Sequence, residues 1–231
     1  MHFPRFDIQE EDNPLYMAYR RSVWENDAME CAPVRVGRNM LIVPGYNREV
    51  DRGGLMTLFT DSRPAFGDGR HPTTVLCLTL LEEFIESLEP RQREGISMLD
   101  IGTGTGILAI AASLLGITDI LALDLDPDSI INASELAVLN NAGPVEFRLM
   151  DAMHLPLTRP YGLITANLLP GLLRTVIPLT AKLALPGAPV IVSGIGDESI
   201  DGMEELMRHS GFTQIRRVTS GWWHAYLLRS C

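Results

Sequence analysis

Cysteine is scarce in this chain. The three cysteines, Cys31, Cys77 and Cys231, are odd in number and far apart, which fits neither a disulfide framework nor the ligand spacing of a zinc site. This usage is typical of proteins in a reducing compartment. We therefore expect a cytoplasmic location.

Positive charge is also in deficit. The 231 residues include 29 acidic and 19 basic side chains, which give a formal net charge of -10, and Lys182 is the single lysine. Sequence-independent binding to nucleic acid depends on Lys and Arg side chains that neutralise phosphates. We therefore expect no direct nucleic-acid binding, and we expect basic partners to be accommodated more easily.

Long apolar runs are missing as well. None approaches the roughly 20 residues of a membrane-spanning helix, and acids such as Glu10-Glu11-Asp12 stand where a signal peptide has its apolar core. We expect a soluble protein without a membrane anchor. At 46% hydrophobic residues, the chain is able to bury one sizeable core.

The most informative stretch runs from Met98 to Ala112. It predicts a buried strand, a turn with three glycines (Gly102, Gly104 and Gly106) and a helix. Because glycine has no β-carbon, a ligand is able to lie directly against such a turn. An ordinary tight strand-to-helix turn is the alternative interpretation.

The spacing of the glycines narrows the choice of ligand. A dinucleotide-binding turn has glycine at its sixth position, where this chain has Ile107, so pyrophosphate binding is disfavoured. Asp100, two residues before the first glycine, is placed to meet a positively charged ligand. The amino and sulfonium groups of S-adenosylmethionine suit this acid better than phosphates do.

A second acid strengthens the nucleotide interpretation. Asp124 ends the apolar run 119–124 and follows Gly102 by 22 residues. A carboxylate at this strand end is placed to accept hydrogen bonds from both hydroxyls of a ribose. Asp126, followed by Pro127, is more typical of a helix cap.

Strand and helix patterns alternate after the glycine turn. The predicted strands are 119–124, 145–150, 161–166 and 188–193, and the predicted helices are 127–140, 170–184 and 197–209. Two more strands, 212–219 and 222–228, form a hairpin, so the last strand runs antiparallel. We predict an α/β fold, a doubly wound, Rossmann-like, mostly parallel seven-stranded sheet with an antiparallel last strand and a short N-terminal lead-in.

The lead-in is predicted to be an extension over residues 1–62, with the main domain over 63–231. Tyr16, Tyr19 and Trp24 are spaced for one face of a short helix, and residues 33–60 suggest small antiparallel strands. Phe66 and Gly67 then begin a glycine-rich turn that is plausible as a mobile lid.

The lid leads into a helix that begins near Pro72. His71 is more often a structural histidine than a catalytic base. Thr73 and Thr74 are candidates for ligand contacts or for plain helix caps.

Two more polar residues follow predicted strands, at the edge where ligands bind in this architecture. Asp151 is placed to accept the amino hydrogens of adenine, or is a solvated turn acid. The side-chain carbonyl of Asn167 is able to hold an amine by its hydrogen, and a helix cap is the competing interpretation. Methyl transfer at such a site needs neither a metal nor a covalent nucleophile.

Several segments, taken in order, resemble the ribosomal protein L11 methyltransferase family. They are Ala65-Phe66-Gly67 with Gly69, His71 and Thr73-Thr74, then 99–111, Asp124-Leu125-Asp126-Pro127, Ala166-Asn167-Leu168-Leu169 and Ser193-Gly194-Ile195. The resemblance covers about residues 33–231. It implies a class I methyltransferase that moves methyl groups from S-adenosylmethionine to protein amines, which in the family belong to ribosomal protein L11.

The resemblance also implies roles for single residues. Thr74, Gly102, Asp124 and Asn167 match cofactor-contacting positions, with Asn167 also beside the target amine and therefore our catalytic candidate. Phe66 and Gly67 match the loop that closes over the methionine part of the cofactor. The candidate cofactor-binding residues are then Phe66, Gly67, Thr74, Asp100, Gly102, Gly104, Asp124, Asp151 and Asn167.

Two departures bear on the substrate. Family members have an N-terminal α/β domain that recognises L11, and we expect the residues before Pro33 to be too few for one. Asp68 replaces the usual threonine between the lid glycines. A protein amine, of L11 or of another protein, is the predicted acceptor. A small-molecule amine is the alternative, and a cofactor-binding protein without catalysis is a third hypothesis.

Overall fold

A computed structural model describes residues 32–44, 50–60 and 69–231. Contacts gather Pro33–Cys231 into one compact unit, and the predicted division after residue 62 stays a prediction. The predicted helix over Tyr16, Tyr19 and Trp24 lies outside the described residues, as do residues 65–68 of the predicted lid.

A small three-stranded sheet comes first. It contains β1 (Val34–Val36), β2 (Met40–Pro44) and β3 (Met56–Thr60). β1 and β2 pair antiparallel, but β2 and β3 pair parallel, so the prediction of antiparallel strands is wrong for this pair. A parallel pair requires a connection that returns to the starting end of the first strand, which a tight hairpin turn does not provide.

A seven-stranded sheet forms the centre of the unit. Its strands are β4 (Ser97–Ile101), β5 (Asp119–Asp124), β6 (Glu146–Leu149), β7 (Leu163–Asn167), β8 (Pro189–Gly196), β9 (Phe212–Ser220) and β10 (Trp223–Ser230). Their spatial order is β6-β5-β4-β7-β8-β10-β9. β10 runs opposite to the other six strands of this sheet, pairing antiparallel with both β8 and β9. The predicted seven-stranded sheet with an antiparallel last strand is confirmed.

The order of the strands reverses at β4. β5 and β6 lie on one side of it, and β7 and β8 lie on the other. In open α/β sheets, ligands bind in the crevice at the carboxyl ends of the strands next to such a reversal. Ile101, Asp124 and Asn167 end β4, β5 and β7, so the fold brings the predicted site residues to this edge.

Six α-helices lie within the described residues. They are α1 (Pro72–Glu86), α2 (Pro90–Glu94), α3 (Ile107–Leu114), α4 (Pro127–Leu139), α5 (Pro170–Leu183) and α6 (Ile200–His209). Apolar side chains of α1, α3 and α4 pack on one face of the large sheet, and those of α5 and α6 pack on the other. Because both faces are covered, β4 and β5 are almost wholly buried and mostly apolar.

Local sequence explains two deviations from the predicted helices. Helix α2 was not predicted because its five residues are polar and have no apolar period; Pro90 at its first position and a capping box between Glu89 and Gln92 account for it. The predicted helix 197–209 begins as a 3-10 turn, Asp197–Ser199, and becomes α-helical at Ile200. Among the helices that the structure describes, none has the length and apolar character to cross a bilayer.

Buried polar side chains attach the small sheet to helix α1 and to the end of helix α4. The carboxylate of Glu82, on α1, is fully buried and accepts the backbone N–H groups of Arg38 at 2.7 Å and Asn39 at 2.8 Å. The amide of Asn140, after α4, accepts the N–H of Phe59 at 2.7 Å and donates to its carbonyl at 2.8 Å. These bonds satisfy edge groups that no strand pairs.

Candidate active site

The turn between β4 and α3 is bent by residues with positive φ. Gly102, Gly104 and Gly106 have φ angles of 70°, 54° and 78°, in a region that side chains with a β-carbon rarely adopt. The N–H groups of Gly102 and Thr103 both donate to the carbonyl of Leu123, at 2.9 Å and 2.8 Å. The turn is thereby tied to the end of β5, and Gly106 caps α3.

Asp124 holds the opposite side of this turn. Its Oδ2 accepts the N–H of Gly104 at 2.8 Å, and its Oδ1 accepts the N–H of Asp126 at 3.0 Å. A carboxylate has about four lone-pair sites, so the half-buried side chain keeps capacity for further donors. Asp126 caps α4, as predicted, by accepting the N–H of Asp128.

Asp151 lies next along the same edge. The N–H of Met150 donates to the carbonyl of Asp124 at 2.9 Å, which brings the two acids to neighbouring strand ends. Asp151 caps the short 3-10 turn Ala152–His154 by accepting the N–H of Met153. Its side chain is 39% exposed. The carboxylate that caps the turn is therefore also accessible from solvent.

Asp100 is placed differently from the other candidates. It is 1% exposed on β4, and its two oxygens accept the hydroxyls of Thr103 at 2.6 Å and Thr165 at 2.5 Å. Burial and, to a smaller extent, the negative charge of Asp124 raise the pKa of Asp100 to about 6, against the lowering effect of the two hydroxyls. Asp100 thus supports the turn from inside the sheet.

Asn167 carries an unsatisfied polar atom. Its Nδ2 donates to the hydroxyl of Thr74 at 3.4 Å, which joins the end of β7 to the first turn of α1. Its Oδ1 is buried and has no hydrogen-bond partner among the described residues. A buried acceptor without a donor is costly, and a ligand N–H would satisfy it.

The start of α1 forms the neighbouring wall. His71 caps the helix, with Nδ1 2.7 Å from the hydroxyl of Thr73 and 3.3 Å from its backbone nitrogen. The His71 ring also packs edge-on against Trp223 at a centroid distance of 5.2 Å. His71 and Thr73 are therefore built into the wall, whereas Thr74 contacts Asn167 directly.

Leu168 is a residue whose position sequence reasoning missed. Its N–H donates to the carbonyl of Ser193 at 3.1 Å. A β-carbon on Gly194, which has φ 91°, would lie 2.8 Å from the carbonyl carbon of Leu168 and overlap its oxygen. On the other side, a β-carbon on Gly102 would overlap the Cδ2 atom of Leu168. Ser193 and Gly194 belong to a segment that carries the family resemblance, but no local pattern indicates this contact.

The structure divides the predicted residues into three groups. Gly102, Gly104, Asp124 and Asp151 line the edge formed by β4, β5 and β6, and Thr74 and Asn167 lie on the β7 side of the reversal. Asp100 is buried at the junction, between Thr103 and Thr165. Phe66 and Gly67 lie outside the described residues, so their proposed part in a lid stays a prediction.

Comparison with known proteins agrees with this architecture. A family model described as ribosomal protein L11 methyltransferase matches residues 12–230. The chain is 33% identical over 198 residues to a protein of that name from Heliobacterium modesticaldum, covering 85% of this chain and 60% of the relative. It is 38% identical over 173 residues to one from Azotobacter vinelandii, covering 74% and 56%.

Solved structures give the same result. The crystal structure of ribosomal protein L11 methylase from Lactobacillus delbrueckii subsp. bulgaricus superposes with a TM-score of 0.75 at 27% identity, covering 86% of this chain and 99% of that one. Magnesium protoporphyrin IX methyltransferase from Synechocystis, at 16% identity and a TM-score of 0.54, shares the fold. The chain spans about 60% of the length of the curated relatives it matches. Because the family model matches most of its length, the chain belongs to the ribosomal protein L11 methyltransferase family.

Proposed function

We propose that this protein transfers a methyl group from S-adenosylmethionine to an amine of a protein substrate. The observation that carries the proposal is the Oδ1 of Asn167, which is buried at the end of β7 and has no hydrogen-bond partner within the described residues. On the other side of the strand reversal lie the glycine turn and Asp124, the carboxylate that we propose binds the ribose hydroxyls. A nucleoside cofactor and an amine acceptor would each find their expected partners in this arrangement.

The residues present fit the cofactor. Gly102 and Gly104 have no β-carbon and adopt positive φ angles, so a ligand would approach the backbone closely on the side of the turn that Leu168 does not cover. Asp124 would hold the ribose hydroxyls and Asp151 the adenine amino group. The carboxylates of Asp100 and Asp124 would favour a cationic ligand. When bound, S-adenosylmethionine supplies a methyl group on a positively charged sulfur, activated for in-line displacement.

The chain's own part in the reaction is positioning. Asn167 would accept one N–H of the acceptor amine at Oδ1, which directs the nitrogen lone pair toward the methyl donor. The bond from Nδ2 to Thr74 fixes the orientation of the Asn167 amide. Because an amide does not take up a proton near pH 7, the amine must arrive neutral or lose its proton to solvent.

The identity of the acceptor is inferred from the relatives and from charge. The curated relatives are named for ribosomal protein L11, and we propose L11 or another basic protein. The net charge of -10 favours a basic partner. Acids support this at the acceptor side of the sheet, where Asp197 and Glu198 follow the end of β8. The side chain of Asp197 is 67% exposed, although its Oδ1 lies 2.7 Å from Nε2 of His224. A cytoplasmic location, where ribosomes are, is part of the same proposal.

Transfer of labelled methyl groups tests this function. S-adenosylmethionine carrying a labelled methyl is incubated with the protein and purified L11, and separately with an L11-depleted cell extract fractionated into proteins and small molecules. Label in L11 or in another protein is the expected result. Label in small molecules alone would replace the protein acceptor by a small amine. Cofactor binding without label in any fraction would contradict methyl transfer.

A further inference from the structure

Leu168 touches two glycines that belong to the two halves of the site. Gly102 opens the cofactor turn after β4, and Gly194 lies in β8, next to the strand that ends in Asn167. Both glycines have positive φ, 70° and 91°. At both positions a β-carbon would lie within 3 Å of an atom of Leu168, so the backbone itself comes close to this neighbour.

The two contacts use different parts of Leu168. The side chain of Leu168 makes the contact with Gly102, since a β-carbon added to Gly102 would overlap Cδ2 of Leu168 and lie 3.3 Å from its Cγ. On the Gly194 side it is the main chain, since an added β-carbon would lie 2.8 Å from the carbonyl carbon and 3.3 Å from the nitrogen of Leu168. The hydrogen bond from Leu168 N–H to the carbonyl of Ser193, at 3.1 Å, fixes the same peptide.

We propose that Leu168 is a positioning residue that sets the distance between the cofactor turn and the acceptor-binding oxygen of Asn167. Its main chain is held against β8 while its side chain rests on Gly102, so neither side moves without the other. Asn167 is covalently adjacent, and its Oδ1 is consequently held in register with the turn. The inference rests on the proposed function, because it assigns Leu168 a part in methyl transfer.

Closely packed atoms transmit displacement because interiors have few voids. A ligand seated on Gly102 therefore presses on the Leu168 side chain and, through its peptide, on Gly194. Shortening the side chain to alanine removes the contact with Gly102 but leaves the peptide and its hydrogen bond to Ser193. The cofactor should then still bind, while the acceptor oxygen is no longer held at a fixed distance.

Three variants test the proposal. Leu168→Ala removes the contact, Leu168→Met restores an apolar chain of similar volume, and Leu172→Ala shortens a 54% exposed leucine in the first turn of α5 as the matched control. Affinity for S-adenosylhomocysteine is measured by calorimetry. Methyl transfer to L11, or to the protein acceptor that the labelling experiment identifies, gives kcat and KM. The backbone amide signal of Gly194 is followed by NMR as S-adenosylhomocysteine is added.

We expect Leu168→Ala to bind S-adenosylhomocysteine within about threefold of wild type and to lose between about tenfold and about 100-fold in kcat, since small misplacements near reacting atoms are costly. The ligand-induced shift of the Gly194 amide should be present in wild type and in Leu172→Ala, absent in Leu168→Ala and regained in Leu168→Met. A shift that persists in Leu168→Ala, or an unchanged kcat, overturns the inference alone. Failure of the wild type to bind S-adenosylhomocysteine overturns the proposed function and the inference together.

Discussion

The Oδ2 atom of Asp124 accepts the backbone N–H of Gly104 at 2.8 Å, across the turn that separates β4 from α3. The same carboxylate therefore shapes the turn and is available to a ligand. Replacing it affects both roles, and the comparison of two variants separates them.

Asp124→Ala removes the charge and both acceptors, and Asp124→Asn keeps an acceptor for Gly104. We expect the affinity for S-adenosylmethionine to become undetectable in Asp124→Ala and to fall about tenfold to 100-fold in Asp124→Asn, because hydrogen bonds to a charged group contribute about 1.5–3 kcal/mol. Calorimetric titration measures the affinity. Asp128→Asn, an exposed acid in the first turn of α4, is the control. Normal binding by a folded Asp124→Ala would show that the ribose site has been misassigned.

Alanine substitutions at Gly102 and Gly187 separate the effect of close packing on stability from the effect of backbone strain. Gly102→Ala places a β-carbon at φ 70° into the Leu168 side chain, whereas Gly187→Ala places one at φ 76° with no atom within 4 Å. The strain alone costs about 1–2 kcal/mol, and overpacking adds about 1–3 kcal/mol. We expect denaturant unfolding to show a larger loss of stability for Gly102→Ala than for Gly187→Ala. Equal losses would mean that Leu168 yields freely.

The pKa of Asp100 predicts a pH-dependent contribution to stability. Its folded-state pKa of about 6 lies above the value of about 3.9 in an unfolded chain. The folded protein therefore binds the proton more tightly, and the contribution of Asp100 to stability is present below about pH 4 and is lost as the pH rises through about 6.

Asp100→Asn isolates this contribution. The shift of about two pKa units corresponds to about 3 kcal/mol, so the free energy of unfolding of wild type relative to Asp100→Asn should fall by an amount of that order between pH 4 and pH 7. Urea unfolding at several pH values gives the difference, and titrating groups that do not interact with Asp100 cancel in it. A difference that stays constant with pH would contradict the raised pKa.

Local sequence predicted much of the fold and the positions of some candidate site residues. The apolar runs of β4 and β5 and the glycines between β4 and α3 predicted a strand, a turn and a helix because each is specified by neighbouring residues. Asp124 was found because strand ends in a parallel sheet share one edge. Asn167 was found for the same reason, together with the family resemblance.

Long-range contacts account for what the sequence did not predict. The place of Leu168 between Gly102 and Gly194 depends on three strands that are distant in the chain. The packing of His71 on Trp223 joins residues about 150 positions apart, and no period marks it. The parallel pairing of β2 with β3 is likewise not indicated by either strand's own residues.

Asn167 is central to the proposed methyl transfer, because its buried Oδ1 has no partner in the described part of the chain. Replacing Asn167 by Ala removes the acceptor for the amine and leaves Asp124 and the glycine turn in place. The decisive measurement is the single-turnover rate of methyl transfer by Asn167→Ala, taken beside its affinity for S-adenosylmethionine. We predict that the rate falls about 100-fold or more while the affinity changes by less than about tenfold. Equal losses in rate and affinity would contradict the proposal that Asn167 binds the amine that receives the methyl group.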